Sequence, residues 1–161
     1  LIVGRVPQRL HHEQLLQEPL FEETVGYFVG ARHPLAGRSG LRFEHLLPFP
    51  WILPPPQAAL RRQIEDLFHS RGLPLPVDLV ETISPLTMRH LLLNTDSVAP
   101  LPTQVLDLEQ CAGLVRNLSL PGPNTGSRVG LILRRSGQLR TAAAIFVDIL
   151  REEASHLRER A

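Results

Sequence analysis

Short apolar runs, each cut off by proline or glycine, recur along this chain and limit what it can fold into. Leu1-Ile2-Val3 stops at Gly4, Trp51-Ile52-Leu53 at Pro54-Pro55-Pro56, and the stretch from Ser97 to Leu101 at Pro102. Runs of this length fit strands buried on both faces, and proline cannot continue a sheet ladder. Helical periods lie between them. Leu60, Ile64, Leu67 and Phe68 fall on one helix face, so Ala58 to about Arg71 is predicted as a helix that Gly72 can end. Ser84-Pro85 starts another, a serine N-cap followed by proline at the first helical position, running to about Leu93. Strands alternating with helices at short intervals predict an α/β architecture with mainly parallel sheets.

The remaining segments fill in that alternation. Glu22 to Ala31 is rich in strand formers, and Val77 to Glu81, Leu114 to Leu118 and Val129 to Leu133 read as further strands. Phe43 to Leu47 suits one helical turn. Thr103 is placed to cap a short helix to about Ala112, with Gly113 as its stop. Leu139 to about Arg158 forms a long final helix with Ala142, Phe146, Ile149 and Leu150 on one face, ending in a heavily charged tail. Pro121-Gly122-Pro123-Asn124-Thr125-Gly126 is the densest breaker cluster and marks a crossing between lobes. A buried strand at Leu1 to Gly4 needs neighbours, and it is expected in a parallel sheet beside Val129 to Leu133.

Composition narrows the class of function. A net charge of +1 excludes a strongly basic nucleic-acid binder, and the single cysteine, Cys111, allows no internal disulfide. No stretch is long enough to cross a bilayer, so the chain reads as a cytoplasmic soluble protein with no membrane partner. Catalytic grammar is missing as well. His11-His12 are adjacent and read as a solvated loop pair, no His-Glu-x-x-His occurs, and there is no Gly-x-Ser-x-Gly elbow. Glu22-Glu23 and Glu152-Glu153 read as solvent-facing charges. The expectation is a protein that is not an enzyme, with no catalytic residues, no metal and no cofactor.

What the chain does carry is an ordered series of elements. A strand ending in Gly4 is followed by Glu18-Pro19-Leu20-Phe21-Glu22-Glu23, a strand, and His33-Pro34-Leu35-Ala36. Then come Pro50-Trp51-Ile52, the helix, Glu81-Thr82-Ile83-Ser84, and Ser97-Val98-Ala99-Pro100-Leu101-Pro102. This order resembles the effector-binding (regulatory) domain of LysR-type transcriptional regulators over essentially the whole chain. The His-Pro-Leu-Ala element and the Leu-Pro strand ending are its most telling pieces.

The resemblance implies a type-2 periplasmic-binding-protein-like fold, two α/β lobes joined by crossover strands, with the first lobe incomplete. Residues 1–30 and 122–161 would be the partial first lobe and 31–121 the second, with the DNA-binding domain absent from this chain. It also implies a small-molecule effector bound in the interlobe cleft, a homodimer or higher homo-oligomer, and DNA contact only through an N-terminal domain. The helix from Ala58 to Arg71 is the expected interface element. A solute-binding protein of the same fold, used in transport, is the alternative.

In open α/β sheets ligands sit beyond the carboxyl ends of strands, where helix N-termini offer free N–H groups. With the fold so implied, Leu53, Pro54, Thr82, Ile83, Ser84 and Thr103 become the expected effector-binding residues. Ser84 and Thr103 equally suit N-capping. Leu53 and Ile83 stand where some members of the family carry hydroxyls, which argues against a strongly anionic effector.

Overall fold

The structure, a computed structural model, describes residues 1–7, 12–120, 126–136 and 138–159. The chain divides into two units, Leu1–Thr24 with Gly126–Ala161, and Val25–Thr125. Of the breaker cluster at 121–126, residues 121–125 lie outside the described residues, as does His11.

In the first unit, β1 (Ile2–Val6), β2 (Leu15–Glu23) and β8 (Ser127–Arg134) form a sheet in the order β1-β8-β2. Both outer strands run antiparallel to β8, with Val3 opposite Leu131 and Glu18 opposite the same residue from the other side. The opening strand thus lies beside Val129 to Leu133, as the sequence suggests, but antiparallel to it rather than parallel. Nor is it buried on both faces. Leu1, Ile2 and Val3 are exposed at 47%, 62% and 44%, because the helix that packs on this sheet meets β2 and β8 and no residue of β1 joins that core.

The sequence reading misses β2, assigning no strand before Glu22. Pro19 explains both the omission and its resolution. Proline lacks an N–H, and here it sits at a bulge, with the register slipping between Pro19 and Phe21, in a strand that pairs only with β8.

The helix α4 (Thr141–Glu159) covers one face of this sheet through Val147, Leu150 and Ala154, packed on Leu20, Leu131 and Leu133. The sequence points to a different stripe. Phe146 and Ile149 are about half exposed, and the buried side is one step around the helix. Arg151 fastens the helix to β2 with two bonds to the Glu18 carboxylate, both 2.8 Å.

The second unit is a sheet covered on both faces. β3 (Val25–Gly30) lies between β6 (Ala99–Pro102) and β7 (Val115–Leu118), antiparallel to each. β4 (Trp51–Leu53) pairs in parallel with β5 (Leu79–Glu81), and a parallel bridge from Trp51 to Val98 joins this pair to the β6 side. The pairing draws residues 25–30 into this unit, whereas the sequence reading groups them with the first lobe. Among the described residues only the β4, β5 and β6 alignment is parallel, so the sheets are not mainly parallel as the sequence suggests.

Period-two alternation divides the core between the two faces. Val25, Tyr27, Val29, Trp51 and Leu53 point to the side covered by α1 (Ala59–Ser70), where Leu60, Ile64, Leu67 and Phe68 meet them. Phe28, Ile52, Ala99 and Leu101 point to the other side, against Met88 and Leu92 of α2 (Pro85–Asn94) and Leu106. Trp51 is fully buried, 5.2 Å edge-on from Phe68, and its indole N–H donates to the Leu46 carbonyl at 3.2 Å. A buried indole is tolerated where its N–H is satisfied.

Candidate functional site

β4, β5 and β6 all end at the same edge of the second unit's sheet. Trp51 is opposite Leu79 and Leu53 opposite Glu81 in a parallel ladder, and Trp51 bridges Val98 in the same sense. At that edge or just beyond it lie Leu53-Pro54, Thr82-Ile83-Ser84 and Thr103, so the chain brings all six expected residues to one end of these strands. They do not present themselves equally. Leu53 and Pro54 are buried, Thr82, Ser84 and Thr103 are half-buried, and Ile83 is 75% exposed. The side chain of Leu53 belongs to the core on the α1 side.

Local hydrogen bonds explain the shape of this edge. The Thr82 N–H donates to the Leu53 carbonyl at 3.0 Å, carrying the parallel ladder one residue past β5. Thr82 Oγ1 accepts from the Ser84 N–H at 3.1 Å, and Ser84 Oγ accepts from the Thr87 N–H at 3.3 Å. Ser84 is therefore a true N-cap of α2, with proline next to it. Its hydroxyl proton, and that of Thr82, are still available to a ligand. The Leu86 N–H, in the first turn, has no acceptor among the described residues, and the Leu86 side chain stands exposed beside it. The edge offers donors and apolar surface together.

Thr103 differs from its expected role. It is the first residue of a 3-10 turn over Thr103–Leu106, Pro102 precedes that turn, and no side-chain cap bond forms; α3 (Asp107–Cys111) follows. The hydroxyl is free of that duty. A proline in the capping position has no side-chain acceptor, and the chain enters the turn directly from the strand.

Arg61, on α1, escaped the sequence reading. It is 9% exposed, and its Nη1 donates to the Pro54 carbonyl at 3.2 Å and to Glu81 Oε1 at 3.0 Å, while Nε donates to Glu65 Oε1 at 2.6 Å. One guanidinium thereby ties the exit of β4 to the last residue of β5, directly behind the candidate edge. Five donors in a planar fork make arginine suited to such a bridge. The only signal in the sequence is Glu65 one helical turn on, which is too common a pairing to single out.

His33 is placed elsewhere. It closes the turn after β3, at the opposite end of the sheet, with the Leu35 N–H donating to Nδ1 at 3.0 Å. That leaves the proton on Nε2, which donates to the Asp96 carbonyl at 3.2 Å, and the ring lies 4.4 Å from Phe49. Burial pulls the His33 pKa below its ordinary value, with the Asp96 carbonyl and carboxylate opposing that shift. The His-Pro-Leu-Ala element is thus a structural latch, with His33 and Leu35 buried. Among the described residues, no group of three or more His, Cys, Asp or Glu side chains could hold a metal ion, and no helix is long and apolar enough to cross a membrane.

Comparison with known proteins agrees with this architecture. The LysR substrate binding domain family matches residues 1–155. The chain belongs to that family. It is 27% identical over 159 residues to the HTH-type transcriptional regulator PcaQ of Agrobacterium fabrum, covering 98% of this chain and 50% of that protein. It is 28% identical over 144 residues to the HTH-type transcriptional regulator GalR of Pseudomonas putida, covering 89% of this chain and 36% of the relative. The LysR-family chain thus spans half or less of the length of these curated relatives.

Among solved structures, it resembles the regulatory domain of Synechocystis CcmR in complex with 2-PG, with a TM-score of 0.72 and 18% identity over 92% of this chain and 71% of that one. It also resembles the effector binding domain of QuiR in complex with shikimate, with a TM-score of 0.65 and 18% identity over 92% of this chain and 69% of the other. Identities this low speak for the fold, which is the type-2 periplasmic-binding-protein-like fold of LysR effector-binding domains.

Proposed function

We propose that this chain is the effector-sensing domain of a LysR-type transcription regulator, and that the carboxyl edge of its second unit is one wall of a small-molecule site. The observation that carries the reading is the edge itself. Three parallel strands end together there, and the exposed Ile83 and Leu86 flank an unsatisfied N–H at the positive end of α2. Such a surface suits an effector with an apolar body and an acceptor group. Leu53, Pro54, Thr82, Ile83, Ser84 and Thr103 are the residues assigned to it, Ile83 and the two hydroxyls of Thr82 and Ser84 by contact and Leu53 and Pro54 by shaping the wall. That the curated relatives are transcription regulators favours this reading over a transport solute-binding protein.

The effector acts by differential affinity. It shifts the regulator between conformations only to the extent that it binds one better than the other. The domain works as a cytoplasmic homodimer or higher homo-oligomer, and operator DNA is contacted by an HTH region outside these residues. The exposed face of α1 is the proposed interface, together with β5 beside it. β5 pairs only with β4, and Val77, just before it, is 96% exposed, with Val80 and Leu75 also open. An open strand edge carrying apolar side chains is a pairing surface.

A thermal-shift screen against sugars, sugar acids and aromatic acids tests the site, using the longest soluble form of the regulator that contains these residues. At least one compound is expected to raise Tm in the parent protein, and Ile83→Asp, on an exposed side chain, should remove that shift without lowering the ligand-free Tm. Stabilisation by no compound, or a shift indifferent to Ile83→Asp, contradicts the proposal.

A further inference from the structure

The second unit also holds a cavity of about 760 Å³ at the end of the sheet away from the candidate effector edge. Its placement follows from the register. Gly30, at the far end of β3, is opposite Val115, whereas Val25, at the near end, is opposite Pro102. Three segments wall the cavity: the turn after β3, the carboxyl end of α2 through Asp96, and the α3–β7 turn at Gly113 and Leu114. Gly30 permits the close approach this needs, because a Cβ there would collide with the Leu92 carbonyl oxygen.

The charges and dipoles around this cavity form a matched set. The carbonyls of Leu92, Leu93 and Asn94, the last of α2, accept no hydrogen bond among the described residues. They form the negative end of the helix dipole, and the exposed Asp96 carboxylate, which makes no ion pair among the described residues, stands beside them. On the wall formed by the turn after β3, Arg32 is exposed and likewise forms no ion pair among the described residues. Ala31, Leu93 and Leu114 supply apolar lining. A lone cation would suffer from Arg32 and a lone anion from Asp96 and the carbonyls. A ligand bearing both charges suits both.

We propose that this cavity is a second ligand site taking a small zwitterion of the α-amino acid type. Its ammonium, with three donors, is held by the carboxyl end of α2 and Asp96, and its carboxylate by Arg32. Neutral His33 closes the back of the cavity through its bond to the Asp96 carbonyl and keeps that loop in place. The site is separate from the effector edge, and its fate does not depend on the proposed function.

Amide NMR titration of the longest soluble form of the regulator that contains these residues, with L-alanine, L-leucine and L-glutamine, tests it. Saturable shifts are expected at the Gly30, Asp96 and Gly113 amides, with Thr82 and Ile83 unmoved. N-acetyl-L-leucine, which lacks the ammonium, and L-leucinamide, which lacks the carboxylate, should fail to produce them. Asp96→Asn and Arg32→Gln, both on exposed side chains, should each weaken binding by about tenfold or more. No saturable shift at these amides with any of the three amino acids overturns the proposal. So do equal shifts from the capped analogues, or unchanged binding in either variant.

Discussion

Arg61 and His33 show how much of this fold rests on single buried polar groups. Removing one partner from a buried bridge leaves the others unsatisfied, which costs more than the bridge itself contributes. Arg61→Met is therefore expected to lower stability by about 2 kcal/mol, discounted because Glu81 is partly open to solvent. Urea unfolding would show this as a lower midpoint at unchanged slope. An unchanged midpoint would mean that the strand ends hold their spacing without the guanidinium.

His33 gives a pH signature. Burial holds its folded-state pKa below the ordinary 6.5, so the folded chain stays neutral where the unfolded chain takes up a proton. The associated stability is complete above about pH 6.5 and is lost as the pH falls through the folded-state value. Urea midpoints measured from about pH 8 to 5 should fall more steeply for the parent chain than for His33→Asn, which cannot titrate. Identical profiles would contradict a neutral, buried His33.

At the scale of elements, Ser84 caps α2 through the Thr87 N–H, so Ser84→Ala should cost about 1 kcal/mol. Helix α4 supplies a paired test of its seating. Val147 is buried and Phe146 exposed, so Val147→Ala should cost about 1–2 kcal/mol while Phe146→Ser stays within about 0.5 kcal/mol, both read by thermal unfolding. The reverse order would restore the face read from the sequence.

These elements also mark what a sequence can disclose. The Ser84-Pro85 start and the α1 stripe were legible because their signals are local, a cap and a single apolar face. In α4 they were not. Ile145, Phe146, Val147, Ile149 and Leu150 offer overlapping faces, and only the position of Leu131 and Leu133 selects one. β2 was hidden by Pro19 and its glutamates, which suit an edge strand with a bulge but resemble a loop. Strand direction depends on partners more than a hundred residues away, so the antiparallel pairing of β1 with β8 leaves no trace in either strand.

For the molecule as a whole, the order of motifs was enough to indicate the LysR family, and the proposed site residues were chosen from where strands were expected to end. What the sequence could not rank was their exposure, which separates Ile83 at the surface from Leu53 inside the core. It could not indicate Arg61 either, since a bridge between two strand ends exists only once they are adjacent. The central claim is that an effector meets the carboxyl edge of the second unit. The most direct measurement is an amide NMR map of that edge in the presence of a compound that raises Tm. Shifts concentrated at Thr82, Ile83, Ser84 and Leu86 are predicted. A stabilising compound that leaves these four amides unmoved would contradict the account.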